Sequence, residues 1–336
     1  MILVDPYPRT LDQIFSAGAR ARLEALAPVA WHEGPSVGPE LVEPLLPELV
    51  AVVGQTALPA ERLERAPRLR AVLNVEGNFL PNVDYADCFA RGITVLGIGP
   101  VFGQPVAELA LGLALAGARD ILRGDAEIRA GTEVLFDEGG NGGSFLLAGK
   151  TVGLVGCGSL GRALLPLLHP FGCELLAHDP WRPGEAIRAL GATPVGLVEL
   201  FSRSRVVFVL SPPTTENTGA IGRTCFEAMA PGSVLVLVSR AAVVDWPALL
   251  DAAASGRIRA AIDVFPEEPI PAGERARTTP GTILSAHRAG NVPEVWREVG
   301  EMVATDLEAV LAGREPTRMQ AADPATVARL RSRPIG

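Results

Sequence analysis

The chain of 336 residues is nearly half apolar and carries 30 basic against 38 acidic side chains, a formal net charge of −8. That length admits two domains of ordinary size around buried cores. The mixed, acid-leaning charge excludes a basic stripe for nucleic acid, because the overall field repels a phosphate backbone.

In chain order, Met1–Val4 reads as a strand and Thr10–Leu26 as a helix. Leu49–Gly54 and Leu69–Val75 are further strand candidates on either side of a short helix, Leu58–Ala66, and Ile93–Leu96 closes this section. Pro105–Arg129 reads as one long helix, opened by a proline near its first turn. The glycine-rich Phe136–Ser144 follows as a loop or arm. From Thr151 the alternation strengthens. Val152–Val155, Glu174–His178, Val206–Leu210, Ser233–Val238, Ala260–Val264 and Thr282–Ser285 are six strand candidates with helical segments between them. Pro293–Ala312 is a last helix before a polar end. Strands separated by helices favour parallel sheets covered on both faces. The reading is a six-stranded doubly wound domain preceded by a smaller domain of the same class.

The N-terminus has no basic run ahead of an apolar segment, so no secretory signal is expected. The most apolar stretch, Leu109–Ala118, is too short to span a bilayer. Cys88, Cys157, Cys173 and Cys225 lie far apart without metal-type spacing and read as reduced thiols. These features point to a cytoplasmic protein without a membrane partner.

One turn carries a cofactor signal. Val152–Val155 runs into Gly156-Cys157-Gly158-Ser159-Leu160-Gly161, and Arg162–Leu168 continues as a helix. Gly156 permits the tight turn, Gly158 lets the backbone approach a pyrophosphate, and Gly161 lets helix and strand pack closely. The helix N-terminus then offers unpaired N–H groups to the anion. Asp179, ending the next strand, can accept from both hydroxyls of an adenosine ribose and repels the extra phosphate of NADP, which favours NAD. Arg182 lies three residues on, suited to a 2′-phosphate or to solvent.

Three ionisable residues follow the late strands, where an open α/β sheet places its ligand crevice. Arg240 follows Ser233–Ser239, Glu268 lies beyond Asp263, and His287 follows Thr282–Ala286. Reduction of a 2-oxo acid needs a cation for the carboxylate and carbonyl, a proton donor for the forming alkoxide, and a hydride donor. A planar guanidinium suits the first role and an imidazole the second. A carboxylate beside the imidazole raises its pKa and fixes its orientation.

Val106-Ala107-Glu108, Ser239-Arg240-Ala241-Ala242-Val243-Val244-Asp245, Asp263-Val264-Phe265 with Glu268-Pro269, and Ser285-Ala286-His287 together resemble the D-isomer-specific 2-hydroxyacid dehydrogenase family over most of the chain. The resemblance implies that Arg240 binds the substrate carboxylate and polarises the C2 carbonyl. His287 is then general acid for reduction and base for oxidation, with Glu268 as its partner. It also implies that Ser211-Pro212-Pro213 and Thr218 pass the cofactor, that Val238 and Asp263 face the nicotinamide, and that Val75, Glu76, Gly77 and Asn78 belong to a substrate loop running from Asn74 to Asn82. The implied architecture is a Rossmann coenzyme domain, 101–288, inserted into a flavodoxin-like substrate domain, 1–100 with 289–336. Closure of a cleft and a homodimer built around 110–150 come with it, and no metal does.

Several positions depart from the family pattern: Ala241 for a glycine, Leu237 for an asparagine, Glu76 and Phe79 in the substrate loop, and Arg288 after the histidine. Arg288 suits a dianionic acid such as phosphonopyruvate, or pairs with Glu76, or faces solvent; Trp296 joins these as a pocket candidate. The leading reading is an NAD-dependent enzyme acting on a small 2-oxo or 2-hydroxy acid. The alternative is an NAD(H)-sensing binding protein like the family's transcriptional corepressors, which the compact length disfavours. Formate oxidation is disfavoured because that branch has glutamine where Glu268 stands.

Overall fold

The computed structural model describes residues 1–35, 37–135 and 143–329. Most of the expected arm at 136–144 therefore lies outside the described residues. The chain forms two compact units, one from Met1–Phe102 with Val292–Gly336, the other from Gly103–Asn291.

Unit 1 begins with five parallel strands: β1 (Ile2–Asp5), β2 (Val29–Trp31), β3 (Ala51–Gly54), β4 (Ala71–Asn74) and β5 (Thr94–Gly97). Every residue of β1, β3 and β4 is buried, as continuous apolar runs are when helices cover both faces. One core, which includes Ile2, Val4, Val53 and Leu73, fills one face; another, with Leu3, Val52 and Val72, fills the other. The expected helix Thr10–Leu26 is two helices, Leu11–Ile14 and Ala17–Leu26. Ser16 divides them by accepting from the Ala19 N–H as an N-cap. The strand β2, Val-Ala-Trp, is too short to set a hydrophobic period, and its three residues are only half-buried.

Unit 2 opens with the helix Gly103–Arg119. The run Gly99–Arg119 is long and apolar enough to cross a membrane by length and composition, a wider stretch than Leu109–Ala118. Yet Ala110, Leu113, Ala114, Gly117 and Ala118 of this helix are buried, and a Cβ on Gly117 would stand 2.9 Å from a Val234 methyl carbon. It is a core helix. The expected continuation to Arg129 is a separate helix, Ile121–Ala130, because Asp120 turns left-handed at φ 55°. Its carboxylate accepts from Arg123, three residues on.

The sheet of unit 2 has seven parallel strands: β6 (Thr151–Val155), β7 (Glu174–His178), β8 (Thr193–Pro194), β9 (Val206–Val209), β10 (Ser233–Leu237), β11 (Ile258–Ile262) and β12 (Thr282–Leu284). The two-residue β8 is the one the sequence does not announce. Strand order is β12-β11-β10-β9-β6-β7-β8, the dinucleotide-binding order with its switch point between β6 and β9.

The chain returns to unit 1 through the helix Pro293–Leu311, which puts Val299, Met302, Val303 and Leu307 into the first core. In the polar end, β13 (Gln320–Ala321) pairs antiparallel with β5. The buried Asp306 fixes this return by accepting from the N–H groups of Thr317, Arg318 and Met319. The order β13-β5-β4-β3-β1-β2 is flavodoxin-like, switching between β1 and β3.

Candidate active site

At the carboxyl end of β6 the chain turns into a helix within a few residues, and two glycines there admit no side chain. Gly156 has φ 99°, and a Cβ on it would stand 2.8 Å from the Ser211 nitrogen. A Cβ on Gly161 would stand 2.6 Å from the Gly156 oxygen. Gly158 differs, since a Cβ there meets nothing within 4 Å. The helix Ser159–Leu168 begins beside that open space with no side-chain cap. Ser159 and Leu160, both half-buried, form its first turn. An uncapped helix N-terminus beside open backbone fits a pyrophosphate.

Asp179 follows β7 and is nearly buried. Its Oδ2 accepts from the Cys157 N–H at 2.9 Å and its Oδ1 from the Trp181 N–H at 3.1 Å. Arg182 Nε lies 3.5 Å from the same carboxylate. Asp179 therefore ties the glycine turn to the end of β7 and draws Arg182 to itself. Burial, with the Asp179 charge beside it, pushes the Cys157 thiol up to about 11, so this cysteine stays protonated at neutral pH. Across the turn Ser211 is buried, and Pro212 and Pro213 lead to Thr218, whose hydroxyl donates to the Thr214 carbonyl. Asn217 closes that loop, accepting from the Thr214 N–H and donating to the Pro212 carbonyl.

Beyond β10, Val238 is buried, the Ser239 hydroxyl is buried without a partner, and half-exposed Arg240 donates from Nη1 to the Ser239 carbonyl at 2.7 Å. Beyond β11 and β12 lies the pair the sequence anticipates: Glu268 Oε2 is 2.6 Å from His287 Nδ1. The other Glu268 oxygen accepts from the Phe265 N–H at 3.0 Å, so the carboxylate is aimed by backbone. With Nδ1 committed, the partly exposed imidazole offers Nε2 for proton transfer.

Asp263 performs a task the sequence reading does not contain. It is fully buried, and its carboxylate accepts from the Ser285 hydroxyl and from the N–H groups of Arg288 and Ala289, while its carbonyl accepts from the His287 N–H at 2.8 Å. His287 sits at φ 49°, a left-handed conformation that a β-substituted residue adopts at an energetic cost. Asp263 holds the segment in that conformation from both sides of the histidine.

The Arg288 side chain is exposed and makes no ion pair with a described residue. Within unit 1, Glu76 lies 3.5 Å from Arg9, a residue for which the sequence supplies no motif. Val75 and Phe79 of the substrate loop are buried in unit 1, with Phe79 edge-on to Tyr85. Gly77 abuts the Phe102 ring and Asn78 is half-buried. Trp296 packs edge-on against Phe102, and the Arg9 guanidinium lies 4.4 Å above its indole.

A family model for the D-isomer specific 2-hydroxyacid dehydrogenase NAD-binding domain matches residues 111–289. The chain is 33% identical over 263 residues to glyoxylate reductase of Thermococcus litoralis, covering 77% of this chain and 79% of that one. It is 32% identical over 298 residues to D-3-phosphoglycerate dehydrogenase of Mycobacterium leprae, covering 85% of this chain but only 53% of that protein, so it spans about half that relative's length. Among solved structures, a phosphoglycerate oxidoreductase from Rhizobium etli superposes with a TM-score of 0.86 at 39% identity, covering 96% of this chain and 98% of that one.

Proposed function

The chain belongs to the D-isomer specific 2-hydroxyacid dehydrogenase family, and we propose that it is an NAD-dependent enzyme interconverting a small 2-oxo acid and its 2-hydroxy acid. The observation that carries this reading is the His287–Glu268 pair, 2.6 Å apart and backed by backbone on both members. Unit 2 binds a nicotinamide dinucleotide, which when bound supplies hydride to C2 of the acid or takes it from there. The Gly156–Gly161 turn and the Ser159 helix end hold its pyrophosphate. The Asp179 carboxylate, already fixed by two N–H groups, faces the ribose and favours NAD over NADP.

In reduction His287 donates a proton from Nε2 to the oxygen forming at C2, and Glu268 stabilises the imidazolium that gives it up. In oxidation His287 takes the proton back. General acid–base groups of this kind contribute about 10²- to 10⁴-fold in rate. Arg240 binds the substrate carboxylate through its planar guanidinium. The names of the relatives support glyoxylate or a phosphate-bearing analogue as acceptor.

The helix Ile121–Ala130 buries none of its own residues, and Ile121, Leu122 and Ile128 stand at least half-exposed. That apolar face supports a homodimer through this region.

Steady-state oxidation of NADH and NADPH with a panel of 2-oxo acids tests the reading, alongside His287→Ala and Arg240→Ala. Turnover with NADH that falls by about 10³-fold in either variant supports it. Tight NADH binding without turnover on any acceptor overturns it in favour of an NAD(H) sensor.

A further inference from the structure

β1, β3 and β4 run parallel, so the ends opposite Asp5, Gly54 and Asn74 come together at the amino edge of unit 1's sheet. A cavity of about 470 Å³ opens at that edge, within the range of about 300–1,000 Å³ found for small-ligand sites. Met1, Pro28, Val50 and Arg70, which directly precede β1, β2, β3 and β4, line it. All of its lining belongs to unit 1.

The walls are apolar because the core runs out into them. Leu26, Val50 and Leu311 pack against the first core of unit 1 yet stay only partly buried. Two of the helices on this face, Ala17–Leu26 and Pro293–Leu311, end here, so neither continues over those side chains.

The rim is cationic. Arg70 donates from Nη1 to the Leu311 carbonyl at 2.7 Å and from Nη2 to the Val310 carbonyl at 2.9 Å. These bonds cap the last turn of the helix and fix the guanidinium, and they use two of its five N–H donors. Arg68 lies 2.6 Å from Glu48, but the two side chains are 60% and 64% exposed, and a pair so open to water is held weakly. Two guanidiniums therefore face one carboxylate across the cavity mouth.

We propose that this cavity binds a small carboxylate with an unbranched apolar body, its anionic end on Arg70 and Arg68 and its body along Leu26, Val50 and Leu311. The site stands apart from the oxo-acid chemistry, which belongs at the carboxyl ends of the strands. A bound molecule touches the ends of both helices, so it binds the folded unit alone and stabilises it by mass action. Glu48 competes with the ligand for Arg68 and sets how much affinity the rim gives.

Calorimetric titration of the full chain with sodium octanoate, sodium butyrate and octylammonium chloride tests the proposal. Octanoate should saturate one site with a Kd below about 1 mM. Butyrate, four methylenes shorter, should bind at least about 10-fold more weakly, and octylammonium should not saturate. Arg70→Gln should weaken octanoate by about 10-fold through loss of a charge-assisted bond. Arg68→Gln should weaken it by less, and Glu48→Gln should tighten it. Absence of saturable octanoate binding overturns the proposal, as does butyrate or octylammonium binding equally well. Octanoate displaced by NADH or glyoxylate sits at the catalytic edge instead, which also overturns it. If Arg70→Gln fails to fold for want of its helix cap, the opposite shifts at the exposed Arg68 and Glu48 decide, and unchanged affinity in both variants defeats the site.

Discussion

At the carboxyl edge of unit 2's sheet three carboxylates are consumed by the chain itself: Asp179 by the Cys157 and Trp181 N–H groups, Asp263 by the His287 segment, Glu268 by the Phe265 N–H and His287. At the equivalent edge of unit 1, Asp5, Gln55, Asn74 and Arg9 keep atoms unpaired. Both edges lie at the carboxyl ends of doubly wound sheets. On one the three carboxylates are satisfied although the Ser239 hydroxyl is not, while on the other four side chains keep unpaired atoms. The difference separates two tasks. Groups that move protons and hold a common cofactor need fixed geometry before anything binds. Groups that are left unpaired, such as the Gln55 amide, remain open to a ligand, because an unpaired buried polar group gains from any partner that reaches it.

The largest test of this contrast is structural. Each unit has its own pair of tryptophans, Trp31 and Trp296 in unit 1 and Trp181 and Trp246 in unit 2, so single-tryptophan variants report each unit in urea. Gly54 has φ 126°, and a Cβ on it would fall 1.8 Å from the Asp5 carbonyl oxygen, a backbone atom that cannot step aside. Gly54→Ala should therefore destabilise unit 1 by more than about 4 kcal/mol while the unit 2 signal holds its midpoint. Equal shifts in both signals would contradict independent edges.

Asp263→Asn comes next. The amide keeps the shape but can no longer accept from every donor that surrounds it, and a loss of about 1–3 kcal/mol is expected. Because His287 depends on that carboxylate for its left-handed conformation, kcat should fall more than KM changes. An unaltered kcat would show that the histidine keeps its place unaided.

A smaller effect should follow from Asp179→Ser. It frees Arg182 and removes the charge that repels a 2′-phosphate, so the NADH-to-NADPH ratio of kcat/KM should drop by roughly 10-fold, the equivalent of one charge-assisted hydrogen bond. No change would place cofactor choice elsewhere in the turn.

The smallest effect is a pH dependence shared by both units. Burial pushes the thiols of Cys88 in unit 1 and Cys157 in unit 2 from 9.0 up to about 11. An unfolded thiol loses its proton first as pH rises, so the unfolded state binds fewer protons between those two values. Their contribution to stability is complete below pH 9 and declines from there to about pH 11. Cys88→Ala should flatten that decline in the unit 1 signal and Cys157→Ala in the unit 2 signal, read as urea midpoints at pH 8 and pH 10.

Much of unit 2 is legible in its sequence because its chemistry is local. Gly156, Gly158, Gly161 and Asp179 announce themselves by spacing, and Arg240, Glu268 and His287 by following apolar runs. The part that is not legible involves groups serving the backbone over long separations. Nothing in the text of the chain says that Asp263 receives N–H groups from residues 288 and 289, or that Arg9 finds Trp296 nearly 290 positions away. Short or edge elements escape for a different reason: β2, β8 and β13 are too brief or too exposed to generate a hydrophobic period. The break at Asp120 escapes because a single left-handed residue leaves the apolar pattern on both sides intact.

The insertion of one unit within the other also sets an order of assembly. Unit 2 is an unbroken stretch, so every strand it needs is made within 189 consecutive residues, from Gly103 to Asn291. Unit 1 has its first five strands early, but the helix that covers one face of them begins only at Pro293. On the ribosome Ile2, Val4, Val53 and Leu73 have only the two early helices, Leu11–Ile14 and Ala17–Leu26, on that face while the whole of unit 2 is synthesised. Contacts of such long sequence separation form slowly and leave apolar surface open to aggregation. The nascent amino-terminal segment is therefore where a chaperone has something to hold.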